Sequence, residues 1–355
     1  MTPSEGLTLE CQRAVQAVRS GQVQLGLGVA RRAYHEAREG GRRSDLAHAL
    51  NTMALCLSAN GAYIEALASG IDAFRLYAID GASSGRIRAL CTIAGAATFI
   101  LDSGEATLPV IERCVAEAAQ RGDASLQVMA LNTRAVALLK LKRFDAARAA
   151  FCEALELVPD SDGSIPPAVI LCNMAGVAMR KAEAAPPERR EALRWAAERE
   201  LAEAMDASLS EGSLEGQSRA LYIRAELAVQ RGETHAALQA LAESLGIAKA
   251  LRHRYRSNVL LLRMADLHES LGDLAKALAC LDAAHVEALS RRPCKELHVV
   301  CERLAALHGR LGHASESEHF GVAAGRERMQ HERECDVQRR GLEAFLAEID
   351  AGIPG

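Results

Sequence analysis

The sequence predicts an all-α protein, an α-solenoid in which about eight helical hairpins stack into a right-handed superhelix. Three observations support this prediction. Apolar residues recur at helical spacing, as at Leu50, Met53, Ala54 and Leu57, which fall at i, i+3, i+4 and i+7. Similar hairpin sequences recur at a nearly fixed period, and no segment shows the sustained alternation of a strand. Because one hairpin cannot bury its apolar face alone, such a period indicates stacked repeats.

A tight turn marks the centre of each predicted hairpin. The interval is 40 residues between the first two turns and between each pair of the last three, and it is 43 and then 38 residues from the second turn to the fourth. The fourth and fifth turns are 90 residues apart, with the irregular unit between them. Glycine occupies most of these positions because it adopts turn conformations without steric cost. The predicted turn positions are Gly21, Gly61, Gly104, Lys142, Gly232, Gly272 and Gly312.

Small residues recur at fixed distances from these turns, where two helices must approach closely. One set lies seven residues before a turn and the other lies five residues after it. The first set is Ala54, Ala97, Ala135, Ala225, Ala265 and Ala305, and the second is Ala66, Ala147, Ala237 and Ala277.

Composition and charge limit the function classes. Hydrophobic residues make up 49% and charged residues 25% of the 355 residues, which is ordinary for a soluble folded protein. The net charge of -4 argues against nucleic-acid or anionic-membrane binding. No apolar run approaches a membrane span, and the N-terminus lacks the pattern of a secretion signal. The ten cysteines form no CxxC pair, which favours buried, reduced thiols in a cytoplasmic protein.

Catalytic and cofactor motifs are incomplete. Ser83 lies in a G-x-S-x-G match, but that motif needs a strand-to-helix turn and here links two predicted helices. His35, His268 and His331 each begin an H-E-x-x-H pattern that lacks its second histidine. We therefore expect neither an enzyme nor a bound cofactor or metal. Histidines are dense late in the chain, and either packed rings or a metal- or pH-sensing cluster would explain them.

Loop-forming residues divide the chain into four parts. Residues 1–160 form a predicted N-terminal array and residues 161–216 an irregular middle repeat with loops. Residues 217–325 form a C-terminal array, and residues 326–355 a charged helix with a short amphipathic end. We expect one continuous superhelix and not two independent folds.

The residues of one hairpin carry a family resemblance. Phe144, Ala147, Phe151, Ala154 and Pro159 resemble the second helix of a tetratricopeptide repeat. The resemblance extends over roughly residues 7–330, and its period exceeds the family's usual ~34 residues. It is similar to the subgroup with longer helices in bacterial signalling and transcription regulators and in kinesin light chains. That implies a protein–protein interaction module.

Two segments depart from the family pattern. The unit near residues 168–210 has "AEAAPPERREAL" in place of a glycine turn. Ser317 and Gly321 are expected to weaken the last second helix, because neither residue suits a packed helix interior.

The resemblance also implies a binding groove on the concave surface. Asn51, Asn132 and Asn173 lie on first helices, where kinesin-light-chain repeats carry asparagines that bond an extended peptide. An amide side chain suits this task because it offers both a donor and an acceptor. The alternative is that these asparagines only join neighbouring helices. We add Arg224, Arg254 and Arg256 as groove residues, the last two from "LRHRYRS", which either holds an acidic ligand or is a solvated face.

The C-terminus leaves two functions open. Its sequence resembles the segment that precedes the catalytic domain in bacterial diguanylate or adenylate cyclases. The chain is therefore expected to be a non-enzymatic regulator or adaptor, or alternatively the sensory half of such a signalling protein.

An apolar stripe follows the charged part of this tail. Leu342, Phe345, Leu346 and Ile349 fall at i, i+3, i+4 and i+7, and we call these four residues the C-terminal stripe. It is expected to bind a partner or its own copy in a homodimer, or else to cap the last repeat.

Overall fold

The computed structural model describes residues 3–100, 105, 107–163, 165–291 and 296–351. Within these residues the chain is predominantly helical and contains no strand. The helices form eight successive antiparallel hairpins, so the predicted α-solenoid is confirmed. Their bounds are α1 Pro3–Arg19, α2 Val23–Gly40, α3 Arg43–Ala59, α4 Tyr63–Ile79, α5 Ser83–Ile100, α6 Leu108–Arg121, α7 Ala124–Lys140, α8 Phe144–Leu157, α9 Pro167–Ala184, α10 Pro187–Ser210, α11 Leu214–Gln230, α12 Thr234–Ala250, α13 Arg254–Ser270, α14 Leu274–Leu289, α15 Glu296–Arg310 and α16 Ala314–Asp350.

The turns inside the hairpins have the left-handed backbone conformation that the spacing of glycines predicted. Gly61 has φ 76° and Gly232 has φ 78°. Lys142 takes the same role with φ 57°, although a side chain makes that conformation costly. The predicted turn at Gly104 lies outside the described residues.

The small residues beside the turns pack as expected. Ala54, Ala135 and Ala265 are fully buried, whereas the equivalent Ala305 in the last repeat is half-buried. After the turns, Ala66 and Ala277 are also fully buried. A methyl group at these positions lets the two helices of a hairpin approach closely, and this requirement explains why the sequence repeats it.

The middle repeat is built without a glycine turn. Proline supplies the first residue of both α9 and α10, at Pro167 and Pro187, where a missing N–H costs nothing. The helices α9 and α10 still pack along each other as a hairpin.

The last helix differs from the sequence expectation. Helix α16 runs unbroken from Ala314 to Asp350, so Ser317 and Gly321 do not interrupt it. The hydroxyl of Ser317 donates a hydrogen bond to the carbonyl oxygen of Ala305 at 2.8 Å, and this bond holds α16 on α15. The expectation of a weakened second helix was therefore wrong. The second helix of the last hairpin and the charged tail form one continuous helix, α16.

The hairpins form two layers. The first helices of successive hairpins contact one another from α1 through α11, whereas the second helices contact chiefly their own and the following first helix. Helices on the inside of a curved array lie closest together, so the first helices form the concave layer. We call the part of this layer that bears His48, Asn51, Asn132 and Asn173 the inner surface.

The superhelix closes on itself. The turn Asn60–Tyr63, between α3 and α4, meets Tyr255 and Arg291 from the C-terminal hairpins, and we call this the closure contact. Arg291, which is 5% exposed, donates a hydrogen bond from Nη1 to the carbonyl oxygen of Asn60 at 3.1 Å. A Cβ on Gly61 would lie 2.5 Å from the Tyr255 ring. The two halves of the chain therefore touch where only glycine fits.

A row of aromatic rings crosses this contact. Phe99 stacks on Tyr63 with ring centroids 4.6 Å apart, and Tyr63 meets Tyr255 edge to face at 6.2 Å. Cations lie over both ends of the row, Lys140 over Phe99 and Arg291 over Tyr255, at 4.8 and 5.2 Å from the ring centroids. Such pairs stabilise beyond simple burial.

The C-terminal stripe packs against α4 of the same chain. Leu342 and Phe345 are 2% and 1% exposed and belong to the N-terminal core, while Leu346 and Ile349 border it. Neither expectation for the stripe described this arrangement: the stripe does not cap the last repeat, and its apolar face is already covered within one chain. The sequence could not show that the superhelix brings α4 within reach of α16.

Candidate peptide-binding surface

The three predicted asparagines lie on first helices, and two of them are joined. Asn173 on α9 donates a hydrogen bond from Nδ2 to Oδ1 of Asn132 on α7 at 3.3 Å. This is the helix-to-helix bond that the alternative interpretation expects. Asn51 on α3 differs, because its Oδ1 is buried and has no hydrogen-bond partner among the described residues.

A histidine lies one turn before Asn51. His48 is half-buried, and its Nε2 also lacks a hydrogen-bond partner among the described residues. Burial lowers the pKa of His48, and the guanidinium of Arg88 on α5 lowers it further. A neutral imidazole is thus favoured here, which can either donate or accept at Nε2. His48 Nε2 and Asn51 Oδ1 are therefore two buried polar atoms without a hydrogen-bond partner among the described residues, on one face of α3.

The predicted arginines are not gathered with the asparagines. Arg224 pairs with Glu243 on the second helix of its own hairpin, at 2.8 Å, in a polar groove between α10, α11 and α12. Arg254 is exposed at the start of α13. The side chain of Arg256 packs against other residues of the chain, and its Nη2 donates a hydrogen bond to Oε1 of Glu215 at 3.2 Å. The structure therefore places none of these three arginines beside Asn51, Asn132 and Asn173.

Glu215 is the centre of a buried charged cluster near the closure contact. Burial alone would raise its pKa, but the guanidiniums of Arg256 and Arg219 outweigh burial and hold the pKa at about 2. His253 lies 3.8 Å from Glu215, yet burial lowers the pKa of this histidine to about 4. His253 is therefore neutral near pH 7, and its Nδ1 accepts the N–H of Arg256 as a helix cap. The cluster is structural and explains "LRHRYRS" better than a ligand site or a solvated face.

Ser83 and the first histidine of each H-E-x-x-H pattern lie on helices in the described part of the chain. Ser83 starts α5 directly after a helix, and its hydroxyl accepts a hydrogen bond from Arg121. No group of three His, Cys, Asp or Glu side chains in the described ranges could hold a metal ion. His308 packs its ring parallel to Phe320, with centroids 5.6 Å apart. The packed-ring interpretation therefore describes His308.

The cysteines and the hydropathy of the helices agree with a packed protein. Six of the nine described cysteines are buried, and all nine are free thiols. Burial raises the pKa of the Cys56 thiol to about 12. None of the described helices is both long enough and apolar enough to cross a membrane.

Sequence reasoning missed His48 and the closure contact. His48 belongs to the same helix face as Asn51, three residues earlier, so helical periodicity could have added it to the candidate surface. Tyr63 and Tyr255 are 192 residues apart in number and carry no shared motif. Only their approach in space identifies them.

Comparison with known proteins supports the repeat assignment. The sequence model for the tetratricopeptide repeat matches residues 130–161, which include α8. No curated protein sequence is detectably similar to the chain.

Solved structures of similar fold share little sequence with the chain. BtubC (BKLC) from P. vanneervenii is 18% identical with a TM-score of 0.51, and the match covers 64% of this chain and 91% of BtubC. The apo form of RapI is 12% identical with a TM-score of 0.51, covering 81% of this chain and 97% of RapI. A Rap protein complexed with Competence and Sporulation Factor is 15% identical, again with a TM-score of 0.51, covering 98% of this chain and 89% of the Rap chain. Together with the eight stacked hairpins, these matches show that the chain is an α-solenoid of tetratricopeptide-like helical hairpins.

Proposed function

We propose that the chain is a non-enzymatic regulator or adaptor that binds an extended segment of a partner protein on its inner surface. The carrying observation is that Asn51, Asn132 and Asn173 lie on the first helices α3, α7 and α9 with side chains that are only half-buried. A peptide backbone supplies both the N–H and the C=O that an asparagine side chain can bond. The repeat fold supports this proposal, since concave helical arrays present extended binding surfaces.

The proposal extends to the biological setting. One neighbour of similar fold is a Rap protein in complex with Competence and Sporulation Factor, so an array of this kind can hold a partner. We infer a role in bacterial signalling, in the cytoplasm.

The test is to identify a partner and then measure its affinity for surface variants. The tagged chain would capture partners from a lysate of its source cells, and mass spectrometry would define the bound segment. Isothermal titration with the synthetic segment would then compare the wild type with Asn51→Ala/Asn132→Ala. Each lost neutral hydrogen bond is worth roughly 0.5–1.5 kcal/mol, so we expect a loss of affinity of about one to two decades.

Arg224→Ala is the matched control, because Arg224 lies in a different groove. It should bind the segment as the wild type does. Asn132→Ala alone should also lower the melting temperature slightly, since it breaks the bond with Asn173. An unchanged affinity in the double variant, with only a lower melting temperature, would show that the asparagines merely join helices.

A further inference from the structure

The end of α16 indicates how the superhelix is held closed. Arg75 on α4 and Glu348 on α16 are 273 residues apart in the chain, yet the guanidinium Nη2 donates to both carboxylate oxygens at 3.0 and 3.2 Å. Beside this ion pair, the Phe345 ring meets Phe74 edge to face with centroids 5.0 Å apart. The contact is therefore specific, and it joins the last helix to the second hairpin.

The contact is also narrow. Between the last hairpin and the C-terminal stripe, α16 presents a charged and mostly exposed segment over residues 326–340. Met329 and Val337 there are each 56% exposed. Only the final turns of α16 pack an apolar face against α4. A short apolar contact at the end of a long exposed helix can separate without disturbing the repeats that carry it.

A second contact joins the same two parts of the chain. Arg291 and Tyr255 of the C-terminal hairpins meet the turn at Asn60 and Gly61, which leads into α4. Since α4 takes part in both contacts, any motion that separates the halves must break both. The two contacts should therefore behave as one cooperative unit.

The closed arrangement contains polar atoms that it does not satisfy. Within the described residues, Glu65 Oε2 on α4 and Arg291 Nε are buried without a hydrogen-bond partner. Burial raises the pKa of Glu65, and the carboxylate of Glu334 on α16 raises it further. Water would reach these groups if the halves separated, so they favour the open form and limit the stability of the closed form.

We propose that residues 342–349 are a latch that holds the superhelix closed, and that release of this latch opens the superhelix while all eight hairpins stay folded. The latch acts together with the closure contact. Because the inner surface belongs to the concave layer of the superhelix, opening the superhelix makes this surface easier for a protein segment to reach. That consequence rests on the proposed function, whereas the latch itself does not.

The test compares two variants of the full chain without any ligand. Leu342→Ala/Phe345→Ala removes the buried part of the latch. Val322→Ala/Val337→Ala is the control, since it also shortens two apolar side chains of the same helix, at positions that are 71% and 56% exposed. Hydrogen exchange read by mass spectrometry, small-angle scattering and circular dichroism would be measured for both and for the wild type.

We expect amide exchange in the latch variant to be at least about tenfold faster in residues 341–350 and also in the closure contact, at 60–63 and 251–256. The radius of gyration should increase, while the helical signal and the exchange of the inner repeats stay unchanged. The control variant should match the wild type in every measurement.

Three results would overturn the latch. Faster exchange limited to residues 341–350, with an unchanged radius of gyration, would mean that the end of α16 packs on α4 without holding the superhelix closed. Faster exchange in every repeat would mean that the stripe is part of an indivisible core. A dimer that becomes a monomer in the latch variant would mean that the stripe holds two copies together in solution.

A charge exchange gives an independent check. Arg75→Glu should accelerate exchange at 341–350 and at 60–63, and Arg75→Glu/Glu348→Arg should restore the wild-type rates. Failure of the second variant to restore protection at 60–63 would contradict the link between the two contacts. Neither experiment uses a partner, so a failure of the proposed function leaves their outcome unaffected.

Discussion

At the residue scale, the turns show how one position can serve two purposes. Gly61 and Gly232 occupy equivalent turns with nearly equal φ of 76° and 78°. Added side chains would meet different surroundings, because Gly61 faces Tyr255 and Arg291 while nothing lies within 4 Å of a Cβ at Gly232. The first glycine is required by the turn and by the closure contact, and the second is required by the turn alone.

We expect Gly61→Ala to be more destabilising than Gly232→Ala. Both variants place a side chain in the left-handed region, which costs about 1–2 kcal/mol. Gly61→Ala must also displace the Tyr255 ring, a change of the overpacking kind that costs about 1–3 kcal/mol more. Thermal melts followed by circular dichroism check the difference. Equal melting temperatures would show that the closure contact yields without cost.

The buried carboxyl of Glu65, on α4, predicts that the stability of the protein depends on pH. Burial, and to a smaller extent Glu334, raise the pKa of Glu65 above its ordinary value of 4.5, while a hydrogen bond from its own backbone N–H and the charge of Arg31 partly oppose this shift. The folded state therefore prefers protonated Glu65. Its stabilising contribution is fully present below the ordinary pKa and is lost as the pH rises through the raised pKa.

Glu65→Gln should consequently melt at a higher temperature than the wild type at pH 7, by roughly a degree or two. The two proteins should converge at pH 4, where the wild-type carboxyl is protonated. Acid unfolding driven by other carboxylates affects both proteins equally, so the difference isolates Glu65. A difference that grows toward low pH would contradict the assigned sign.

At the element scale, the spacing of helices within a hairpin depends on its smallest side chains. Ala265 on α13 is fully buried, and Ala305 at the equivalent position on α15 is half-buried. Equivalent sequence positions therefore experience different packing.

The same substitution at the two positions tests this difference. Ala265→Leu should destabilise the chain by about 1–3 kcal/mol, because the larger side chain separates α13 from its neighbours. Ala305→Leu should cost less, since its extra carbons can extend toward solvent. Urea titrations of both variants measure the costs. An equal loss at both positions would mean that the terminal hairpin is packed as tightly as the interior ones.

At the scale of the whole molecule, stacking controls chemical access. Among the nine cysteines that the structure describes, the buried thiols are Cys11, Cys56, Cys91, Cys114, Cys172 and Cys301, and the half-buried ones are Cys152, Cys280 and Cys335. Burial raises the pKa of Cys11 and Cys172, so their reactive thiolate forms are scarce.

A thiol reagent should therefore distinguish the two groups. With an aromatic disulfide reagent at pH 8, we expect Cys152, Cys280 and Cys335 to react first and the six buried thiols at least about tenfold more slowly. Mass spectrometry of peptides assigns each rate. Denaturant should abolish the difference, and comparable rates in the native protein would contradict tight stacking of the repeats.

The sequence by itself determined the repeat. Helical periodicity, the turn positions and the small residues beside them are local requirements, because each acts within one hairpin or between neighbouring hairpins. That is why Lys142 could be assigned to a glycine turn and Ala265 to a close helix crossing before the structure was known. Asn51 could be placed on a first helix for the same reason.

Only the tertiary structure decided how distant parts of the chain meet. The curvature of a superhelix is a sum of small rotations between hairpins, and no single motif encodes it. That sum brings Tyr255 to Gly61 and Phe345 to Phe74, and it separates Arg224 from the asparagines. The C-terminal stripe was visible as an apolar pattern, but its partner was not, because an amphipathic pattern states that a face must be covered without stating by what.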